Sequence, residues 1–246
     1  MKNPTITAPA TTHPQTRKTP RRSFLQTCVL TSAGLLLTNR SFAATEPPEA
    51  FAPLNIWDVF KNRRSVRKFK SDAVPDADIR RILDAARSAP TSGNQQPWKF
   101  LVVRDPARIA ALKEGCVERS LGQGDQKKKL SEDEKKKLET SIRNRLAGYF
   151  SAPVYIVVLT DNQSTYPDCN HWDGPLAGGY LMLAARALGY GTVFITDAIP
   201  DEITKKVLNI SDRYIRVCIT PLGIPVAWPD SPAKKPLEDF IAWETL

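Results

Sequence analysis

Two stretches of this sequence combine residue types that could do chemistry at a spacing that would let them act together. Arg63-Arg64-Ser65-Val66-Arg67-Lys68-Phe69 sets three arginines and a hydroxyl within five residues. Guanidinium groups grip phosphate oxygens through paired, fork-like hydrogen bonds, and a serine hydroxyl adds a neutral donor, so the run suits a phosphorylated cofactor at a helix end. A basic run is also the ordinary composition of a solvated face. The second stretch, Ser88 to Phe100, joins a helix to a strand through small and amide-bearing residues, among them Ser92, Gly93, Asn94, Gln95 and Gln96.

Each carboxamide presents both a donor and an acceptor, which matches the edge of a flavin ring, where carbonyl oxygens alternate with nitrogens. Gly93 permits close backbone approach; the plainer alternative is a polar turn. No Gly-rich dinucleotide fingerprint or phosphate loop is present. The chain has two histidines, and Cys28, Cys116, Cys169 and Cys218 lack paired metal-site spacing, so neither a zinc site nor a disulfide scaffold is expected. His171-Trp172-Asp173 falls just before an apolar helix, where His171 could donate a proton or Asp173 could simply cap the helix.

The ordered combination Arg-Arg-Ser-x-Arg-x-Phe, then Ala-Pro-x-Ser-x-Asn-x-Gln-Pro-Trp, then Ala187-Leu188-Gly189-Tyr190-Gly191-Thr192 resembles the nitroreductase family of FMN enzymes from about Ile56 to the C-terminus. The resemblance implies an α+β fold, a three-layer α/β/α sandwich with a mixed, mainly antiparallel sheet, in a domain-swapped homodimer whose FMN sites lie at the subunit boundary. It implies that Arg63, Arg64, Ser65 and Arg67 hold the phosphate and pyrimidine edge, with Arg67 nearest the ring, and that Asn94, with Ser92 and Gln96 beside it, contacts the flavin. Ile195 and Thr196 would place backbone groups beside N5, although many relatives have Glu-Gly where this chain has Thr196-Asp197. Lys234 and Lys235 match a basic phosphate clamp that often ends in Arg. The implied activity is ping-pong: a donor such as NAD(P)H reduces FMN, and a small acceptor, a nitroaromatic or quinone, reoxidises it, with no obligatory acid-base side chain. The alternative is an FMN-binding electron carrier without turnover.

The elements that must position these residues follow from pattern. Leu54 to Phe60 reads as a short helix, and Ile79, Ile82, Leu83 and Ala86 recur at helical spacing after Pro75. Trp98 to Val103 reads as a buried strand, Pro106 to Val117 as helix and Val154 to Leu159 as a second strand. Gly122 to Arg145 is densely charged; Leu138, Ile142, Leu146 and Phe150 give its later half one apolar edge, which predicts a helix partly covering the core, or alternatively a lid. Leu176 to Leu188 is an apolar helix whose Gly178-Gly179 admits close approach of another backbone; Thr192 to Thr196 is a strand, Glu202 to Leu208 a helix and Tyr214 to Thr220 a strand.

Residues 1–43 differ in kind from the rest. They hold six of the 35 basic residues and none of the 26 acidic ones, and without them the formal charge falls from +9 to +3. That near-balance argues against a nucleic-acid partner. Arg21-Arg22-Ser23-Phe24-Leu25 before an uncharged stretch, and Ser41-Phe42-Ala43 after it, resemble a twin-arginine export signal with a cleavage site. The expectation is a folded, cofactor-loaded protein delivered to the periplasm; the alternative is a membrane anchor left uncut. Residues 44–53 read as a tether and 54–246 as the FMN-binding domain. NADH and NADPH belong to the cytosol and are scarce outside it, so the donor is either a nicotinamide or a periplasmic or membrane carrier.

Overall fold

The computed structural model describes residues 55–246, apart from the side chains of 125–128; the expected export signal and tether lie outside the described residues. The central feature is strand β2 (Val154–Asp161), between antiparallel neighbours β1 (Trp98–Val103) and β3 (Tyr214–Leu222). Leu101 pairs with Val157 and Val157 with Ile219, and the register slips by one residue between Val158 and Leu159.

Side chains alternate across a strand, and β2 is apolar on both faces, so each face must be covered. Tyr155, Val157 and Leu159 pack with Leu112, Cys116 and Val117 of α3 (Pro106–Lys128), Ile142 and Leu146 of α4 (Glu132–Ala147) and Leu208 of α6 (Asp201–Leu208). Val154, Ile156 and Val158 pack with Ile79, Ile82 and Ala86 of α2 (Asp76–Ala86) and Leu181 and Ala185 of α5 (Asn170–Ala187). The result is the expected α/β/α sandwich. A short helix, α1 (Ile56–Asn62), precedes these layers, its first turn capped by the Asn55 side chain accepting from the Asp58 N–H at 3.0 Å.

Several expectations shift. The strand expected over Thr192 to Thr196 is a set of isolated bridges, Gly191 to Gly223, Ser65 to Thr192 and Ile195 to Ile219. This segment pairs with one neighbour at a time as it crosses from the basic run to β3, so no continuous ladder forms. β1 is only half-buried over most of its length because it is an edge strand. The helix expected to end at Val117 runs on to Lys128 and takes up the first part of the charged segment. The second part is α4, whose start is fixed by a reciprocal cap: Ser131 Oγ accepts from the Glu134 N–H, and the Glu134 carboxylate accepts from the Ser131 N–H. Ile142 and Leu146 are buried as expected, and Arg143 ties α4 to Glu114 of α3 through two hydrogen bonds of 2.7 and 2.8 Å.

Helix α5 begins six residues before the expected Leu176, despite Pro175. Proline at the sixth helical position removes one hydrogen bond and crowds the His171 carbonyl, while the residues before it are held by the buried polar network described below. Gly178 admits the Phe194 ring, with 2.8 Å to where a Cβ would stand, rather than another backbone. On its outer side α5 exposes Trp172, Leu176 and Tyr180 at spacing four, one continuous apolar stripe.

Candidate functional site

The basic run leaves α1 in extended conformation, Arg63 having φ −64° and ψ 130°. Val66 and Phe69 anchor it in the core, and the Val66 N–H donates to the Thr192 carbonyl at 2.9 Å. The intervening residues face a cleft of about 600 Å³. Lys61, Arg63, Arg64, Ser65 and Arg67 line one side of it, and Asp230 and Lys234, from the strap that follows β3, line the other. Five cations thus face one carboxylate, and Asp230 forms no ion pair with them among the described residues. Arg64 Nη1 donates to the carbonyls of Lys61 and Arg63 at 2.6 and 2.9 Å, which fixes the guanidinium without neutralising it. Its Nε is buried without a partner. Arg67 stands 5.8 Å over the Tyr149 ring. Like charges gathered without counter-charges are unfavourable by themselves, and the arrangement fits an anionic group such as a phosphate monoester. Lys235 is not in the lining; its neighbour Lys234 takes that place.

The amide-bearing loop is built on left-handed backbone. Gly93, Asn94 and Gln96 have φ of 57°, 55° and 49°, conformations that cost little for glycine and are tolerated by asparagine. Gln96 Nε2 donates to Asn94 Oδ1 at 3.1 Å, and the Gln96 N–H donates to Thr91 Oγ1 at 3.2 Å. The loop therefore presents Asn94 at the surface in a preset orientation. Ser92, Asn94 and Gln96 do not line the basic cleft of the same chain.

Beneath the loop lies a network that the sequence reading missed. Asp173 is buried, in the first turn of α5, and its carboxylate accepts from the Ser92 N–H at 3.2 Å and from Gln95 Nε2 at 2.7 Å. Gln95 also reads the backbone of Tyr166 at two points, accepting its N–H at 2.7 Å and donating to its carbonyl at 3.0 Å. That two-point contact fixes which end of the amide is the donor. Asp173 is therefore a strut for the loop, not a helix cap, and His171 lies within the helix with its ring 3.8 Å from that of Trp172. A carboxylate inside the Asp173-Gly174-Pro175-Leu176 stretch was the available signal, since a charge within an apolar segment calls for a polar partner.

In the third segment, the N–H and the carbonyl of Ile195 are both paired with Ile219, at 3.1 and 3.0 Å. The bridge to β3 uses up the N–H, the one donor of this residue. The Thr196 carbonyl accepts from Arg216 at 2.8 Å, so the Thr196 N–H is the group of this pair that makes no hydrogen bond among the described residues.

Comparison with known proteins agrees with this geometry. Residues 60–224 match the sequence profile described as the Nitroreductase family. The chain is 31% identical over 193 residues to an iodotyrosine deiodinase of Thermotoga neapolitana, covering 73% of this chain and 91% of that one. It is 32% identical over 168 residues to a putative NADH dehydrogenase/NAD(P)H nitroreductase of Archaeoglobus fulgidus, covering 66% and 81%. The crystal structure of an iodotyrosine deiodinase bound to FMN and 3-iodo-L-tyrosine superposes with a TM-score of 0.61 at 27% identity, covering 78% of this chain and all of that one.

Proposed function

This chain belongs to the nitroreductase family, and from that premise we propose that it is an FMN-dependent oxidoreductase acting on a small acceptor such as a nitroaromatic or a quinone. The observation that carries the reading is the cleft where five cations of two distant segments meet a single carboxylate. When bound, FMN supplies the redox chemistry, accepting hydride from a donor such as NAD(P)H and passing electrons to the acceptor. Everything else falls to this chain's own side chains. Arg63, Arg64, Ser65 and Lys234 hold the phosphate, and Arg67 faces the pyrimidine edge, where a cation favours the reduced ring. Asn94, with Ser92 and Gln96 beside it, and the Thr196 N–H meet the ring edge.

Because the loop and the cleft are separate in one chain, the complete site is assembled from two. Supporting this, α1 exposes Ile56, Trp57 and Phe60, α5 exposes its stripe, and the C-terminal strap exposes Leu237, Phe240, Ile241 and Trp243. Large apolar side chains exposed in such groups mark candidate interaction surfaces. The reading is of a homodimer in which the part of each strap beyond Lys234 crosses to the partner, where the open edge of β1 is available to receive it. Residues 1–43 direct export by the twin-arginine route, and outside the cytosol a periplasmic or membrane carrier is the alternative donor to NAD(P)H.

The test is the colour of the purified mature protein. It should show flavin absorbance and release FMN on denaturation; folded, colourless protein that takes up no added FMN overturns the reading. Stopped-flow reduction with NADH, NADPH and a quinol, then reoxidation by a nitroaromatic, a halogenated phenol or a quinone, distinguishes turnover from carriage. A flavin that no donor reduces points to the electron carrier.

A further inference from the structure

Arg186 is the lone charge in the run Ala184-Ala185-Arg186-Ala187 at the end of α5, and it forms no ion pair among the described residues. Its guanidinium lies over the Trp228 ring, 3.8 Å from the centroid, and its Nε is buried without a hydrogen-bond partner. Trp228 packs against the core and stands at the base of the strap that leads through Pro229 and Pro232 to Lys234. Upstream the strap is fastened by the Val226 N–H donating to the Lys68 carbonyl at 3.1 Å. From Trp228 to Lys234 no hydrogen bond among the described residues ties the strap to the rest of the chain, so the indole is the last anchor before that lysine. Burial, and then the nearby charge of Arg64, both push Arg186 below the usual guanidinium range. Two cations brought together with no carboxylate between them cost free energy that an anion in the cleft would recover.

We infer that Arg186 is a positioning residue for anion recognition: by clasping Trp228 it seats the strap and holds Lys234 across the cleft from Arg63, Arg64 and Arg67. This rests on the FMN reading of the cleft, so the test compares FMN with riboflavin, which carries the same ring without the phosphate. A planar guanidinium stacks on an indole where an aliphatic chain does not.

Arg186→Met in the full mature protein should weaken FMN binding by about tenfold while leaving riboflavin binding unchanged. Trp228→Ala should behave alike, and Trp228→Phe, which keeps an aromatic face, should restore most of the difference. In a Lys234→Ala background, Arg186→Met should add nothing further, since it acts through that lysine. Equal weakening of FMN and riboflavin, no change in either, or additive losses in the double variant would overturn the inference. Should Arg186→Met fail to fold, Arg186→Lys, which keeps the charge and loses the planar stack, and Trp228→Ala carry the same comparison. Wild-type protein that binds neither flavin fails the cofactor reading itself, an outcome distinct from flavin-binding protein that is indifferent to Arg186.

Discussion

Asp173 illustrates how much one buried carboxylate can decide. Among the described residues it forms no ion pair, and its carboxylate accepts from the Ser92 N–H and the Gln95 amide. Asp173→Ala takes the acceptor from the Ser92 N–H and from one N–H of Gln95, whose other N–H keeps the Tyr166 carbonyl, a loss of about 1–3 kcal/mol. The expected outcome is a lower unfolding temperature together with loss of bound flavin. Asp173→Asn is not a benign replacement, because its amide sets a donor against the Gln95 donor; only one of the two contacts survives. Arg67→Ala should lower both the FMN content and the flavin midpoint potential, since it removes a cation proposed to face the reduced ring, and about tenfold in affinity is the scale of one charge-assisted bond. Spectroelectrochemical titration measures both, and an unchanged potential would place Arg67 away from the ring. The thiols offer a pH test. Burial pushes Cys116 from 9.0 to about 11 and Cys218 to about 12. The unfolded chain ionises first, so this contribution to stability is complete below pH 9 and is lost as pH rises through 11 to 12. Thermal unfolding followed from pH 8 to 11 should fall progressively, and a disulfide-exchange reagent at pH 8 should modify Cys169 well before the two buried thiols.

At the scale of elements, α4 joins the core through a short apolar edge and is tied to α3 by an exposed ion pair. Its charged sequence buries only Ile142 and Leu146, and the Arg143 contact with Glu114 supplies the tie to α3. This pair is exposed, so Arg143→Met should cost little in global stability. It should, however, raise amide hydrogen exchange across residues 132–147, because local opening depends on local ties. If α4 is a lid, the same variant will also alter the KM for the acceptor; if it is only a cover, exchange will rise and kinetics will not change. Ser131→Ala removes the reciprocal cap and should destabilise the helix by about 1 kcal/mol. At Gly93 both space and backbone forbid a side chain: φ is 57°, and a Cβ would stand 2.5 Å from the Tyr166 ring. Gly93→Ala should therefore displace Tyr166 or the loop and weaken flavin binding without greatly disturbing the sheet.

For the whole molecule, the exposed stripe of α5 and the strap beyond Lys234 set the expectation. Trp243 is 81% exposed and Phe240 69%, values that a monomer has no reason to maintain. Ending the chain at Val226 should yield monomers that bind FMN weakly, because it removes Lys234 and the strap together. Sedimentation velocity with flavin content measures both, and a truncated protein that stays dimeric and yellow would exclude the strap exchange.

The sequence alone was enough for α2 and β2, because the helical spacing of Ile79, Ile82 and Ala86 and the apolar run of β2 each leave one arrangement that buries them. It located the basic run and the amide loop too, whose residue types are those that phosphate and ring-edge recognition would use. What only the tertiary structure decided is which distant groups meet. That Lys234 rather than Lys235 reaches the cleft, that Ile195 gives both backbone groups to Ile219, that Asp173 supports Ser92 and Gln95, and that Arg186 rests on Trp228 are contacts between residues far apart in the chain. Local pattern records a side chain's chemistry and the face it occupies; its partner across the molecule is set by packing, which no window of neighbouring residues contains.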